Sequence, residues 1–121
     1  MGARSNIQDG TIIHVNRGSY PTIIGDDVTV GHACIIHACT LEDRSFVGMG
    51  ATVLDGAIIR EGGMLAAGGV LTPGKVIGAG ELWSGSPAKF WRVLSVEDRA
   101  RFDATAPHYA ELGGRYRDCG Y

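Results

Sequence analysis

Aliphatic residues recur along this chain at every sixth position. From Ile24 the series runs to Val30 and Ile36, takes one five-residue step to Leu41, and continues through Val47, Val53, Ile59, Leu65, Leu71 and Ile77. Backward from Ile13 it reaches Ile7 and Met1. All thirteen positions hold Ile, Val, Leu or Met, although only 29 of the 121 residues are of those types, so composition alone does not produce the period. The fifth place of each hexad is mostly small, as at Ser5, Thr11, Cys34, Thr40, Ser45, Ala51, Ala57, Gly63 and Gly69. Glycine often follows the aliphatic residue, as at Gly2, Gly25, Gly31, Gly48 and Gly78.

A period of six matches neither the 3.6 of a helix nor the strict alternation of a half-buried strand. It fits a short strand and a turn repeated around a triangular coil, with the aliphatic side chain inward and the small residue at the crowded corner. Three hexads make one coil, and coils stack at the strand spacing of about 4.8 Å, burying each other's faces. A β-sandwich would instead place its strands at irregular spacings of about 8–12 residues. The fold class predicted is an all-β solenoid, a parallel β-helix of hexapeptide repeats over residues 1–88.

The repeat ends near Trp83. "WSGSPAKFW" reads as a turn-rich exit, and residues 89–121 as a helical segment packed along the outside of the coils. Ser95 with Asp98 forms the pattern of a capping box. Phe102, Tyr109 and Leu112 supply an apolar stripe, and Pro107 breaks or kinks the helix.

Composition narrows the picture. A chain of 121 residues is one domain, and 19 glycines beside 45% hydrophobic residues indicate many tight turns around an apolar core. A net charge of −2, with no long basic run, excludes an electrostatic case for nucleic acid. No apolar segment approaches the ~20 residues needed to cross a bilayer, and the start does not read as a signal peptide. Cys34, Cys39 and Cys119 are an odd, unpatterned set, so they read as structural thiols, and the location expected is cytoplasmic.

Two of the four histidines share a register. His14 and His37 are each the second residue of a hexad, and the hexads begin 23 residues apart, one coil plus five. The extra five fit a loop in "VNRGSYPT". The two imidazoles are therefore predicted to stack on adjacent coils about 5 Å apart, a workable separation for one metal ion. His32 is the third residue of its hexad and lies around the corner. In a cyclic trimer it would meet His14 and His37 of the neighbouring subunit, giving equivalent metal sites at the interfaces. His108 has no such partner and reads as a surface residue.

"NIQDGTIIHV", "PTIIGDDVTVGHACIIHACT", "VGMGATVLDGAII" and "GSPAKFWRVLS" closely resemble the gamma-class carbonic anhydrase family, left-handed β-helix trimers. The resemblance spans nearly the whole chain and implies left-handed winding. It implies that His14, His32 and His37 are zinc ligands, and that Gln8 hydrogen-bonds the metal-bound water or bicarbonate. Asp9 matches an aspartate that pairs with an arginine across the interface, Asn6 lies in the same motif, and Tyr109 matches an active-site tyrosine. Family members carry further hexads ahead of this point, including an Arg-Gly-Asp strand that supplies Asp9's partner. This chain starts in mid-repeat, which makes Arg4 or Arg17 the candidate substitute. The acidic loop bearing a proton-shuttling glutamate in some members is also absent.

The activity implied is zinc-dependent, reversible hydration of carbon dioxide to bicarbonate by a homotrimer, with iron or cobalt as alternative metals. Two other readings stand beside it: a hexapeptide acyltransferase or thioesterase, and a metal-binding or scaffold trimer without useful turnover. Gly69-x-x-x-x-Gly74-Lys75 imitates a phosphate-binding loop, but Val76 replaces the magnesium-holding hydroxyl, Pro73 lacks an amide donor, and Leu71 is in the repeat register.

Overall fold

A computed structural model describes residues 1–15 and 21–100. Three faces of short parallel strands run down a solenoid. The first face stacks β1 (Asn6–Ile7), β4 (Thr29–Val30), β7 (Phe46–Val47), β10 (Met64–Leu65) and β13 (Glu81–Gly85), with β14 (Ala88–Val93) antiparallel at its end. The second stacks β2 (Ile12–His14), β5 (Ile35–His37), β8 (Thr52–Val53) and β11 (Val70–Leu71). The third stacks β3 (Ile23–Ile24), β6 (Thr40–Leu41), β9 (Ile58–Ile59) and β12 (Val76–Ile77).

The six-residue series forms three columns in the interior. Ile7, Val30, Val47, Leu65 and Trp83 lie opposite one another down the first face. Ile13, Ile36, Val53 and Leu71 line the second, and Ile24, Leu41, Ile59 and Ile77 the third. From Val30 onward every aliphatic member is fully buried. Ile13 stays 43% exposed because β2 ends its stack and no described coil covers it, and Met1, next to Gly2 whose N donates to Ile24 O, is 78% exposed. The indole of Trp83 packs against the core at the other end of the first column.

The corners explain the rest of the pattern. The residue three places after the inward aliphatic adopts a positive φ at Gly10, Gly50, Gly56, Gly62, Gly68, Gly74 and Gly80, and also at Arg4, Asp27, Ala33 and Arg44. The five-residue step brings Ala38 to its corner one place early, at φ 47°. Small polar residues at the fifth place bridge coils. Thr11 Oγ1 donates to Gly31 O at 2.7 Å and accepts from Cys34 N at 3.1 Å, and Ser5 repeats the arrangement with Gly25 O and Val28 N. Buried backbone groups at the turns are thereby satisfied.

The segment expected as a turn-rich exit is the β13–β14 hairpin, whose turn contains a cis Ser86–Pro87 bond. A helix starts at Val96, and its capping box is formed: Asp98 N donates to Ser95 Oγ and Ser95 N donates to Asp98 Oδ2, each at 3.1 Å. The expected apolar stripe at Phe102, Tyr109 and Leu112 lies outside the described residues. Gly69–Lys75 runs through β11 with Leu71 fully buried, so the segment is a repeat unit. No described helix is long and apolar enough to cross a membrane.

Candidate functional site

The corner after β2 and β5 brings two histidines together. His14 lies opposite His37 in the strand register, and the rings stack with centroids 4.7 Å apart and planes 15° from parallel. His14 Nδ1 is 2.9 Å from His37 Nε2. Backbone bonds hold both strand ends: Ala38 N donates to His14 O at 2.9 Å, while the Thr22 hydroxyl donates to His14 O and accepts from Ala38 N. On the far side of its ring, His37 Nδ1 meets the carboxylate of Asp55. Sequence reasoning did not single out Asp55. Ile36 lies opposite Val53, so the register partner of His37 is Leu54, and Asp55 stands one place beyond it because of the five-residue step; register alone does not mark it.

A second corner carries the other candidates. His32 is exposed in the turn between β4 and β5. Gln8 and Asp9 sit over it, since Gln8 N donates to Val30 O at 3.0 Å and Ala33 N donates to Asp9 O at 2.9 Å. Asn6 orients its neighbour: its Oδ1 accepts from Gln8 Nε2 at 3.3 Å, and its Nδ2 donates to Thr29 Oγ1 at 3.2 Å. The Asp9 side chain is exposed and makes no ion pair among the described residues. Arg4 does not take the role of Asp9's arginine within the chain. Its guanidinium is clamped by both oxygens of Asp27, at 2.7 and 3.0 Å, because β1 pairs with β4 in a register that puts Arg4 over Asp27. Arg17, His108 and Tyr109 lie outside the described residues.

The donor set is thus divided: His14 and His37 at one corner, His32 with Asn6, Gln8 and Asp9 at another. Among the described residues of one chain, no three His, Cys, Asp or Glu side chains are placed to hold a metal ion together. The half-site at His14 and His37 nevertheless fits one. A gap of 2.9 Å between the two nitrogens is easily spanned by two bonds of about 2.0–2.1 Å. Neutral imidazoles suit zinc, iron and cobalt alike.

Among the described residues, the thiols take no part. Cys34 and Cys39 are buried, and burial raises both, with Cys39 pushed up to about 12. A thiol held protonated is neither a nucleophile nor a metal ligand.

Comparison with known proteins agrees with this architecture. Residues 21–55 and 39–73 match the family described as the hexapeptide repeat of succinyl-transferase. A probable carbonic anhydrase of Methanocaldococcus jannaschii is 50% identical over 112 residues, covering 93% of this chain and 70% of that protein. The mitochondrial gamma carbonic anhydrase 3 of Arabidopsis thaliana is 52% identical over 117 residues, again 93% of this chain. The chain spans only 42–45% of the length of the plant relatives. The crystal structure of a hexapeptide transferase family protein from Anaplasma phagocytophilum superposes with a TM-score of 0.89 at 48% identity, covering 95% of this chain and 67% of that one.

Proposed function

The chain belongs to the gamma carbonic anhydrase family of hexapeptide-repeat proteins, and we propose that it forms a homotrimer that hydrates carbon dioxide reversibly to bicarbonate at zinc sites between subunits. The observation that supports this most directly is the division of the donor set between two corners of the solenoid. In a cyclic trimer the His32 corner of each subunit faces the His14–His37 corner of the next, and each interface gains a three-imidazole set. Ile12 and Ile35, opposite each other beside the histidine pair, are 60% and 43% exposed. Apolar surface of this kind is what a neighbouring subunit would cover.

Zinc held by His14, His37 and a neighbour's His32 would supply the Lewis acidity that makes water a nucleophile near neutral pH. The protein residues do the positioning. Gln8, steadied by Asn6, offers a side-chain amide to the attacking water or to bicarbonate. Asp9 presents its carboxylate outward, where an arginine of the adjoining subunit can pair with it. Tyr109 is the further candidate from the C-terminal segment. Protons leave through solvent.

The test combines elemental analysis, sedimentation and stopped-flow carbon dioxide hydration on the wild type and His32→Ala. A metal-loaded, active trimer that loses metal and turnover in the variant is expected. Full metal retained in His32→Ala rejects His32 as a ligand. Coenzyme A binding without metal favours acyl transfer, and metal without turnover favours a scaffold.

A further inference from the structure

His37 has two ring nitrogens and two different neighbours. Nε2 faces His14 Nδ1 at 2.9 Å, and Nδ1 faces the Asp55 carboxylate. A carboxylate accepts hydrogen bonds and does not donate them, so contact with Asp55 places the proton of His37 on Nδ1 and leaves the lone pair on Nε2. That lone pair points at His14, where the half-site needs it.

The carboxylate is held in place by the coil and not by a mobile loop. Asp55 follows β8, and its strand pairs with β5, which carries His37. The two corners beyond these residues are tied together, because Gly56 N donates to Ala38 O at 2.8 Å. The next coil grips Asp55 as well, with Gly74 N donating to Asp55 O at 3.0 Å. Both side chains are partly shielded, 29% exposed for His37 and 31% for Asp55, so water competes only weakly for the contact.

We propose that Asp55 is the positioning residue of the half-site, fixing the tautomer and rotation of His37 so that Nε2 is presented as the ligand atom. The role rests on the metal-site reading above, and it extends the donor set by a carboxylate that never touches the metal. Such outer partners typically change metal affinity by about 10–100-fold.

The experiment compares wild type, Asp55→Ala and Asp55→Asn as assembled proteins. Long-range 1H–15N NMR of the metal-free protein reads the His37 tautomer, and chelator competition with zinc reads affinity. The wild type is expected to show a single Nδ1–H tautomer at His37. Asp55→Ala should mix the two tautomers and weaken zinc binding by about 10–100-fold, as is usual for lost outer-sphere carboxylates. Asp55→Asn keeps an oxygen that accepts the Nδ1 proton, so the tautomer should persist and the zinc loss should be smaller; this variant carries the test if Asp55→Ala does not fold. An unchanged tautomer and zinc affinity within about twofold of wild type in Asp55→Ala would overturn the proposal. If the wild type binds no zinc, the metal reading fails, while the tautomer measurement still judges Asp55 on its own.

Discussion

His14 and His37 stack ring on ring at 4.7 Å although 23 residues separate them. Nothing local brings them together. Their proximity comes from strand pairing between β2 and β5, whose spacing in sequence exceeds one coil by five residues. His32, only five residues from His37, is around a corner. Sequence distance and spatial distance are inverted, and the first prediction uses that inversion.

His32→Ala and His37→Ala should each abolish hydration alone. Mixed trimers refolded from equal amounts of the two variants should regain about a quarter of the wild-type rate, because one ordered neighbour pair in four combines an intact His32 with an intact His37. Stopped-flow assay of the mixture checks this. A mixture as inactive as its components would reject a site shared between subunits.

Leu65 stands in the first column between Val47 and Trp83 and is fully buried. Leu65→Ala should therefore cost about 2–5 kcal/mol, the usual range for emptying a well-packed core position. Urea unfolding monitored by Trp fluorescence measures it.

Gly48 and Gly50 should respond differently to alanine. A Cβ on Gly48 would lie 2.4 Å from Ala67 N in the next coil, a clash with backbone that can only be relieved by separating coils. Gly50 has open space around it and a φ of 72°, so Gly50→Ala should cost only about 1–2 kcal/mol for the left-handed conformation. Comparative denaturation should rank Gly48→Ala as clearly the more damaging.

Cys34 and Cys39 should resist thiol reagents at pH 8 in the native protein and react once it is unfolded. Burial holds Cys39 up at about 12, leaving almost no thiolate to attack. Peptide mapping after alkylation distinguishes them from Cys119.

Asp98 should titrate near 2. Arg92 donates to its carboxylate, and the backbone and hydroxyl of Ser95 add to the effect. A carboxyl lowered by folding stabilises the folded state above its ordinary value, and this stabilisation is lost as pH falls from about 4 through 2. Carboxyl 13C NMR gives the midpoint, and Arg92→Ala should move it upward.

The sequence determined the solenoid. A six-residue aliphatic period has one economical use, so the interior columns from Val30 to Ile77 were legible in the sequence, as was the five-residue step. The His14–His37 pair was legible for the same reason, since register in a stacked coil is arithmetic. The capping box at Ser95 and Asp98 was equally local and equally readable. The tertiary structure decided what depends on side-chain direction and on the ends of the stack. It left Ile13 exposed because its column ends there, and it paired Arg4 with Asp27 and not with Asp9. It turned the exit into a hairpin, and it set Asp55 against the outer nitrogen of His37. A repeat fixes which residues share a corner, but which atoms meet there depends on rotamers and hydrogen bonds, and these exist only after the coils have stacked.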